Sequence, residues 1–222
     1  MHPGGAEVTT ILFDLDGTIL DSESLSRASY DVGIQAVLRR PLRPEEAEYL
    51  VGKPFRALQD LFPGADVDEI VRQKFTFYEQ EHHRIRPYPG VGDLLGDLRR
   101  AGYPLGIVTA KLRRYAHIEL EQNGLPEHFS VVICQEDCRA FKPAPDPLLQ
   151  AAHALDADPA TCIYIGDQPT DMRAAAAARM PGVAALWGEG QADRLREAAP
   201  QYWANAPGDV LHILRGLATR ED

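Results

Sequence analysis

Two short acidic segments of this chain have the residue types and spacing to do chemistry. Asp14-Leu15-Asp16-Gly17-Thr18 sets two carboxylates two residues apart, followed by a glycine. Glycine permits the sharp turn that brings backbone amides close to a ligand. Carboxylates so near one another cannot both ionise freely, so one is expected to stay charged as nucleophile or metal ligand while the other holds a proton as general acid. Gly166-Asp167-Gln168-Pro169-Thr170-Asp171 repeats the arrangement, and hard oxygen ligands gathered in this way suit Mg2+. Turn chemistry alone would account for an Asp-Gly pair, and helix capping for Thr170 or Asp171, but capping leaves Asp167 unexplained. Lys142, in Phe141-Lys142-Pro143-Ala144-Pro145, is a cation in a segment stiffened by two prolines, where an ammonium can neutralise a phosphate. Thr109, in Ile107-Val108-Thr109-Ala110, offers a hydroxyl that could donate to a phosphoryl oxygen but that, taken alone, reads as a helix cap.

The elements that must position these residues follow from apolar periodicity. Short β-branched and apolar runs at 9–13, 104–108, 131–133, 162–165 and 182–186 predict strands, and 90–101, 112–123, 146–155 and 170–180 predict helices between them. Such alternation predicts an α/β fold, a Rossmann-like parallel sheet covered by helices on both faces, with ligands at the carboxyl ends of its strands. Asp14, Thr109 and Asp167 fall at such ends. Residues 22–87 break the alternation with helical patterns at 22–39, 44–50, 54–61 and 66–83 and no strand. This predicts an inserted α-helical cap domain over 22–87 and a core domain made of 1–21 and 88–222. Ala174 to Ala178 reads as a helix packed closely on the sheet, since Ala is small and the best helix former.

The chain has 222 residues, 45% hydrophobic and 25% charged, which suits a soluble globular protein of one or two compact units. Lys and Arg total 23 against 33 Asp and Glu, a formal charge of -10 that argues against nucleic acid and anionic membranes as partners. Cys134, Cys138 and Cys162 follow no metal spacing and read as reduced thiols. His82, His83, His117, His128, His153 and His212 show no ligand or nucleophile pattern. Met1-His2-Pro3-Gly4-Gly5 has no leader character, and no stretch approaches the roughly 18 apolar residues of a membrane span. The expected location is cytoplasmic; composition says nothing of the oligomeric state.

Taken together and in this order, Asp14, Asp16, Thr109, Lys142, Asp167 and Asp171 resemble the four motifs of the haloacid dehalogenase superfamily of phosphohydrolases. The helical insert is similar in position to the small cap of the group containing phosphoglycolate phosphatase, pyrophosphatase and β-phosphoglucomutase. Leu20-Asp21-Ser22 and Val51-Gly52-Lys53-Pro54-Phe55 look like phosphatase members of that group. The resemblance implies that Asp14 attacks phosphorus to form an aspartyl phosphate and that Asp16 protonates the leaving oxygen and then deprotonates water. It further implies Mg2+ held by Asp14, Asp167 and the backbone carbonyl of Asp16, with Asp171 as a further or outer ligand, and phosphate contacts from Thr109, Ala110 and Lys142. Ala110 stands where the family often has Asn, which removes one hydrogen bond to phosphate. The implied partner is a small phosphorylated metabolite, with phosphoglycolate a candidate and Lys53 or Arg56 meeting its non-phosphate end. A phosphomutase and an inorganic pyrophosphatase are the neighbouring alternatives. A receiver-like phospho-Asp module is the non-enzyme alternative, disfavoured by chain length and by the segment 166–171. A dehalogenase has no leaving oxygen for Asp16 to protonate.

Overall fold

The computed structural model describes residues 7–50, 53 and 55–218. The opening Met1 to Gly5, and Val51, Gly52 and Pro54 of the 51–56 segment, lie outside the described residues. In chain order the elements are β1 (Thr10–Phe13), α1 (Glu23–Leu38), α2 (Pro44–Leu50), α3 (Ala57–Leu61), α4 (Val67–Glu81), α5 (Val91–Arg100), β2 (Leu105–Val108) and α6 (Arg113–Gln122). They continue as β3 (Val131–Ile133), α7 (Asp146–Ala154), β4 (Cys162–Gly166), α8 (Pro169–Ala177), β5 (Gly182–Ala185), α9 (Ala192–Arg196), β6 (Tyr202–Ala204) and α10 (Asp209–Ala218). Two compact units result, Met1–Asp21 with Pro87–Asp222, and Ser22–Arg86. Pro87 falls with the former because it bridges to Leu20.

The larger unit is built on a six-stranded sheet in the order β3-β2-β1-β4-β5-β6, every pair parallel. All residues of β1, β2, β4 and β5 are buried, as expected of parallel strands covered on both faces. Chain order reverses across β1, whose neighbours are β2 and β4, and parallel sheets take their ligands in the crevice at such a point. Phe13 stands in register with Ile107 on one side and Ile165 on the other. The residues that follow, Asp14, Thr109 and Asp167, therefore emerge together at one end of the sheet. On α8 and at its C-cap, Ala174, Ala175 and Ala178 are buried with Leu12, Leu148 and Tyr164, so the alanine tract packs a helix tightly on the strands. Three elements near the carboxyl terminus, α9, β6 and α10, complete the unit beyond the five expected strands, and α3 begins at Ala57 where 54 was expected.

The smaller unit is helical, as its periodicity predicted. Tyr30 and Ile34 of α1, Leu50, Leu58 and Ile70 form its core. A Cβ on Gly33 of α1 would stand 2.3 Å from the carbonyl oxygen of Ile70, so the two helices meet backbone to backbone. The buried ammonium of Lys74 on α4 lies over four rings, with centroids at 4.6 Å for Tyr30, 4.8 Å for Phe75, 5.1 Å for Tyr78 and 5.5 Å for Phe55. Ring faces attract a cation through their quadrupoles and offset part of its lost hydration.

Gly33→Ala sets two effects in opposition. Alanine gains about 1 kcal/mol of helix propensity over glycine, whereas forcing a methyl against backbone costs about 1–3 kcal/mol. The obstacle is rigid, so net destabilisation of the smaller unit is expected, read as earlier amide exchange in α1 and α4. Unchanged protection would mean that the helices part at little cost.

Candidate active site

Asp14, Asp167 and Asp171 converge because the connections after β1 and β4 leave the same end of the sheet, with Asp171 in the first turn of α8. Each offers a carboxylate oxygen, these oxygens lie within 4.8 Å of one another, and all three residues are buried. Asp14 is fixed by its amide, which donates to the carbonyl of Ile165 at 2.8 Å. Asp167 Oδ1 accepts from the Thr18 hydroxyl at 3.0 Å and Oδ2 from the Gln168 side-chain amide at 2.6 Å. Asp171 caps α8, accepting on Oδ2 from the Gln168 amide at 2.9 Å. Its other oxygen, Oδ1, is buried without a hydrogen bond, although the Lys142 ammonium stands 2.7 Å away outside hydrogen-bonding angle. Capping thus uses only half of Asp171. Three clustered hard donors, one of them lacking a hydrogen bond, fit a divalent cation. Among the described residues this cluster contains no histidine or cysteine.

Gly17 is required where it stands. Its φ is +79°, and a Cβ there would lie 2.5 Å from Asp167 Oδ2. Its carbonyl oxygen would be 2.0 Å from a Cβ on Gly188, so the loops after β1 and β5 meet through bare backbone. Next to that contact the Trp187 indole N–H donates to the Thr18 carbonyl at 2.9 Å.

Lys142 supplies the counter-charge. Its ammonium donates to Asp14 Oδ1 at 2.8 Å and to the Tyr164 hydroxyl at 2.9 Å, and the Tyr164 hydroxyl donates onward to the Val108 carbonyl at 3.1 Å. Burial pushes the Tyr164 phenol well above its ordinary range, which keeps it a donor. Burial also works against the Lys142 ammonium, but Asp14 and Asp171 outweigh it and hold the group charged well above its usual range. Asp14 moves the other way. Burial pushes its carboxyl up to about 7, opposed by Lys142 and reinforced by the charges of Asp171 and Asp16.

Asp16 lies beside this cluster with its side chain 24% exposed, and its Oδ1 accepts from the ammonium of Lys111. Lys111 also donates to Glu119 of α6, which is fully buried. The sequence reading missed both residues. The signal was present: Tyr115, Ala116, Glu119 and Leu120 form the buried stripe of α6, and a carboxylate on such a stripe demands a cation. Thr109 is buried, and its Oγ1 accepts from the Lys111 amide at 3.1 Å. Ala110, half-buried, follows it. Lys53 and Arg56 belong to the smaller unit and are exposed; the Lys53 ammonium lies 3.2 Å from the centroid of the Tyr49 ring. The three cysteines are free thiols, and burial pushes Cys134 up to about 12 and Cys162 up to about 11. Among the described residues no helix is long and apolar enough to cross a membrane.

Residues 11–185 match the haloacid dehalogenase-like hydrolase family. The chain is 32% identical over 210 residues to the pyrophosphatase PpaX of Bacillus velezensis, covering 93% of this chain and 96% of that one. It is 34% identical over 205 residues to the phosphoglycolate phosphatase of Xylella fastidiosa, covering 90% and 88%. A hydrolase of known structure from Pseudomonas syringae superposes with a TM-score of 0.83 at 27% identity, covering 94% of this chain and 98% of that one.

The raised Asp14 carboxyl carries a pH signature in metal-free protein. Its folded pKa lies above the ordinary 3.8, so the folded state binds the proton more tightly than the unfolded state. The associated stability is complete below about pH 4 and is lost as pH rises through about 7, at most on the order of 4 kcal/mol. Denaturant titrations in chelator are expected to show this decline in the wild type and its disappearance in Asp14→Asn. A slope unchanged by the substitution would place its origin elsewhere.

Proposed function

The chain belongs to the haloacid dehalogenase-like hydrolase family as a phosphatase, and we propose that it is a Mg2+-dependent enzyme hydrolysing a small phosphomonoester, phosphoglycolate being the candidate substrate. The carrying observation is the buried Asp14, Asp167 and Asp171 cluster in contact with the Lys142 ammonium.

In this reading Asp14 is the nucleophile: its carboxylate oxygen forms a bond to phosphorus as the ester P–O bond breaks. Asp16 gives its proton to the departing oxygen and then takes one from the water that cleaves the aspartyl phosphate. Lys142 holds the attacking carboxylate and, with the Thr109 hydroxyl and the backbone at Ala110, binds the phosphoryl oxygens. Asp14, Asp167 and the backbone carbonyl of Asp16 would hold Mg2+ with Asp171 adjoining, and the ion would neutralise charge that otherwise repels the substrate. Lys53 and Arg56 recognise the anionic remainder of the ester. Pyrophosphate is the second reading, favoured by the full-length likeness to a protein named pyrophosphatase PpaX. A phosphomutase would return the phosphoryl group to a sugar instead of water.

Purified protein with Mg2+ is to be assayed against phosphoglycolate, pyrophosphate, hexose phosphates and nucleoside monophosphates. Phosphate release fastest from phosphoglycolate supports the first reading, and fastest release from pyrophosphate replaces it with the second. Asp14→Asn should abolish release with the fold intact, and substantial residual turnover would remove Asp14 as nucleophile. Asp167→Ala should weaken Mg2+ binding in calorimetry, and an unchanged affinity would exclude it as a ligand. Lys53→Ala and Arg56→Ala should raise KM for phosphoglycolate more than for p-nitrophenyl phosphate, whereas parallel losses would deny them a part in recognition.

A further inference from the structure

We propose that Lys111 is the positioning residue for Asp16 and that the buried Glu119 holds Lys111 in place; the inference rests on the assignment of proton transfer to Asp16. Lysine is a flexible residue, and fixing its head costs rotamer entropy that a single exposed ion pair rarely offsets. Here both ends of the side chain are fixed. At the backbone, the Lys111 amide donates to Thr109 Oγ1 at 3.1 Å and its carbonyl accepts from the Gln135 amide at 3.1 Å. At the head, the ammonium stands 2.5 Å from both Asp16 Oδ1 and Glu119 Oε2, with the side chain only 9% exposed.

Glu119 gives this arrangement its direction. An apolar residue on the buried stripe of α6 would pack without the cost of a desolvated charge, and buried ion pairs are often no more stabilising than such a replacement. The carboxylate instead confines the lysine head to one place, and that place is against Asp16. The backbone of Asp16 is also tethered, through its bridge to Leu20. With main chain and Oδ1 both fixed, the plane of the carboxyl group is set, and proton exchange with the leaving oxygen falls to Oδ2. Proton transfer depends steeply on such alignment.

The test compares phenyl phosphate with p-nitrophenyl phosphate, esters of similar shape whose leaving groups differ in their need for a proton. Single-turnover release of the phenol is read with Mg2+ present, so that later hydrolysis does not mask the step. Asp16→Asn is the reference and should slow phenyl phosphate by about 100-fold or more, with a much smaller effect on the nitrophenyl ester. Removing Lys111 alone would leave the buried Glu119 without that counter-ion, so Lys111→Met is combined with Glu119→Gln. This double variant should slow phenyl phosphate about tenfold and p-nitrophenyl phosphate about threefold, and Lys111→Arg in the otherwise native chain should restore most of the difference. In the Asp16→Asn background the double substitution should add less than about a further twofold, because the residue it positions is already disabled. Equal slowing of both esters by the double variant, or an undiminished effect in the Asp16→Asn background, would overturn the positioning role. Equal slowing of both esters by Asp16→Asn itself would overturn the assignment of Asp16, and the inference with it.

Discussion

Repulsion between carboxylates crowded at the end of a parallel sheet is the constraint around which the larger unit is arranged. Three buried acids bring their oxygens within 4.8 Å, a spacing at which like charges cost several kcal/mol at the effective dielectric of a protein. One ammonium in contact with two of them is the nearest compensation, and its position is guarded by a phenol in the sheet, Tyr164, the largest of the fully buried side chains. The compensation is incomplete. Burial first, and then the charges of Asp171 and Asp16, raise the affinity of Asp14 for a proton, and a site of this kind favours a hard cation.

A second ionic system, Asp16 with Lys111 and Glu119, lies beside the first and draws on different elements. Lys142 approaches from the segment before α7, whereas Lys111 follows β2 and Glu119 comes from α6. The acids of the two proposed roles therefore have separate counter-ions, although the charge of Asp16 still acts on Asp14.

Much of this was legible in the sequence, for physical reasons that also explain what was not. Strands β1, β2, β4 and β5 are buried on both faces, so each is written as a nearly continuous apolar run and its limits fall within a residue of the expected ones. β6 escaped because it has three residues, of which Tyr202 and Trp203 are partly exposed, leaving neither alternation nor an apolar run. Asp14 and Asp167 were found by their strand-end positions and Asp171 by the repeated acidic spacing of 166–171. Glu119 was not, because its lysine partner and Asp16 lie 8 and 103 residues away in the chain and charge alone does not announce which cation a buried acid will meet. Gly33 left no such signal, since helical periodicity records which face is apolar and not how closely two backbones approach.

The bare-backbone meeting of Gly17 with Gly188 bears on how such an enzyme can diversify. With a hypothetical side-chain carbon at 188 only 2.0 Å from the carbonyl of Gly17, the floor beneath the acids has no room for innovation by enlargement. Descent with modification must leave those two positions alone and write its changes elsewhere. The insert between Asp21 and Pro87 folds as a compact unit of its own, so substitutions within it are not bound by that contact.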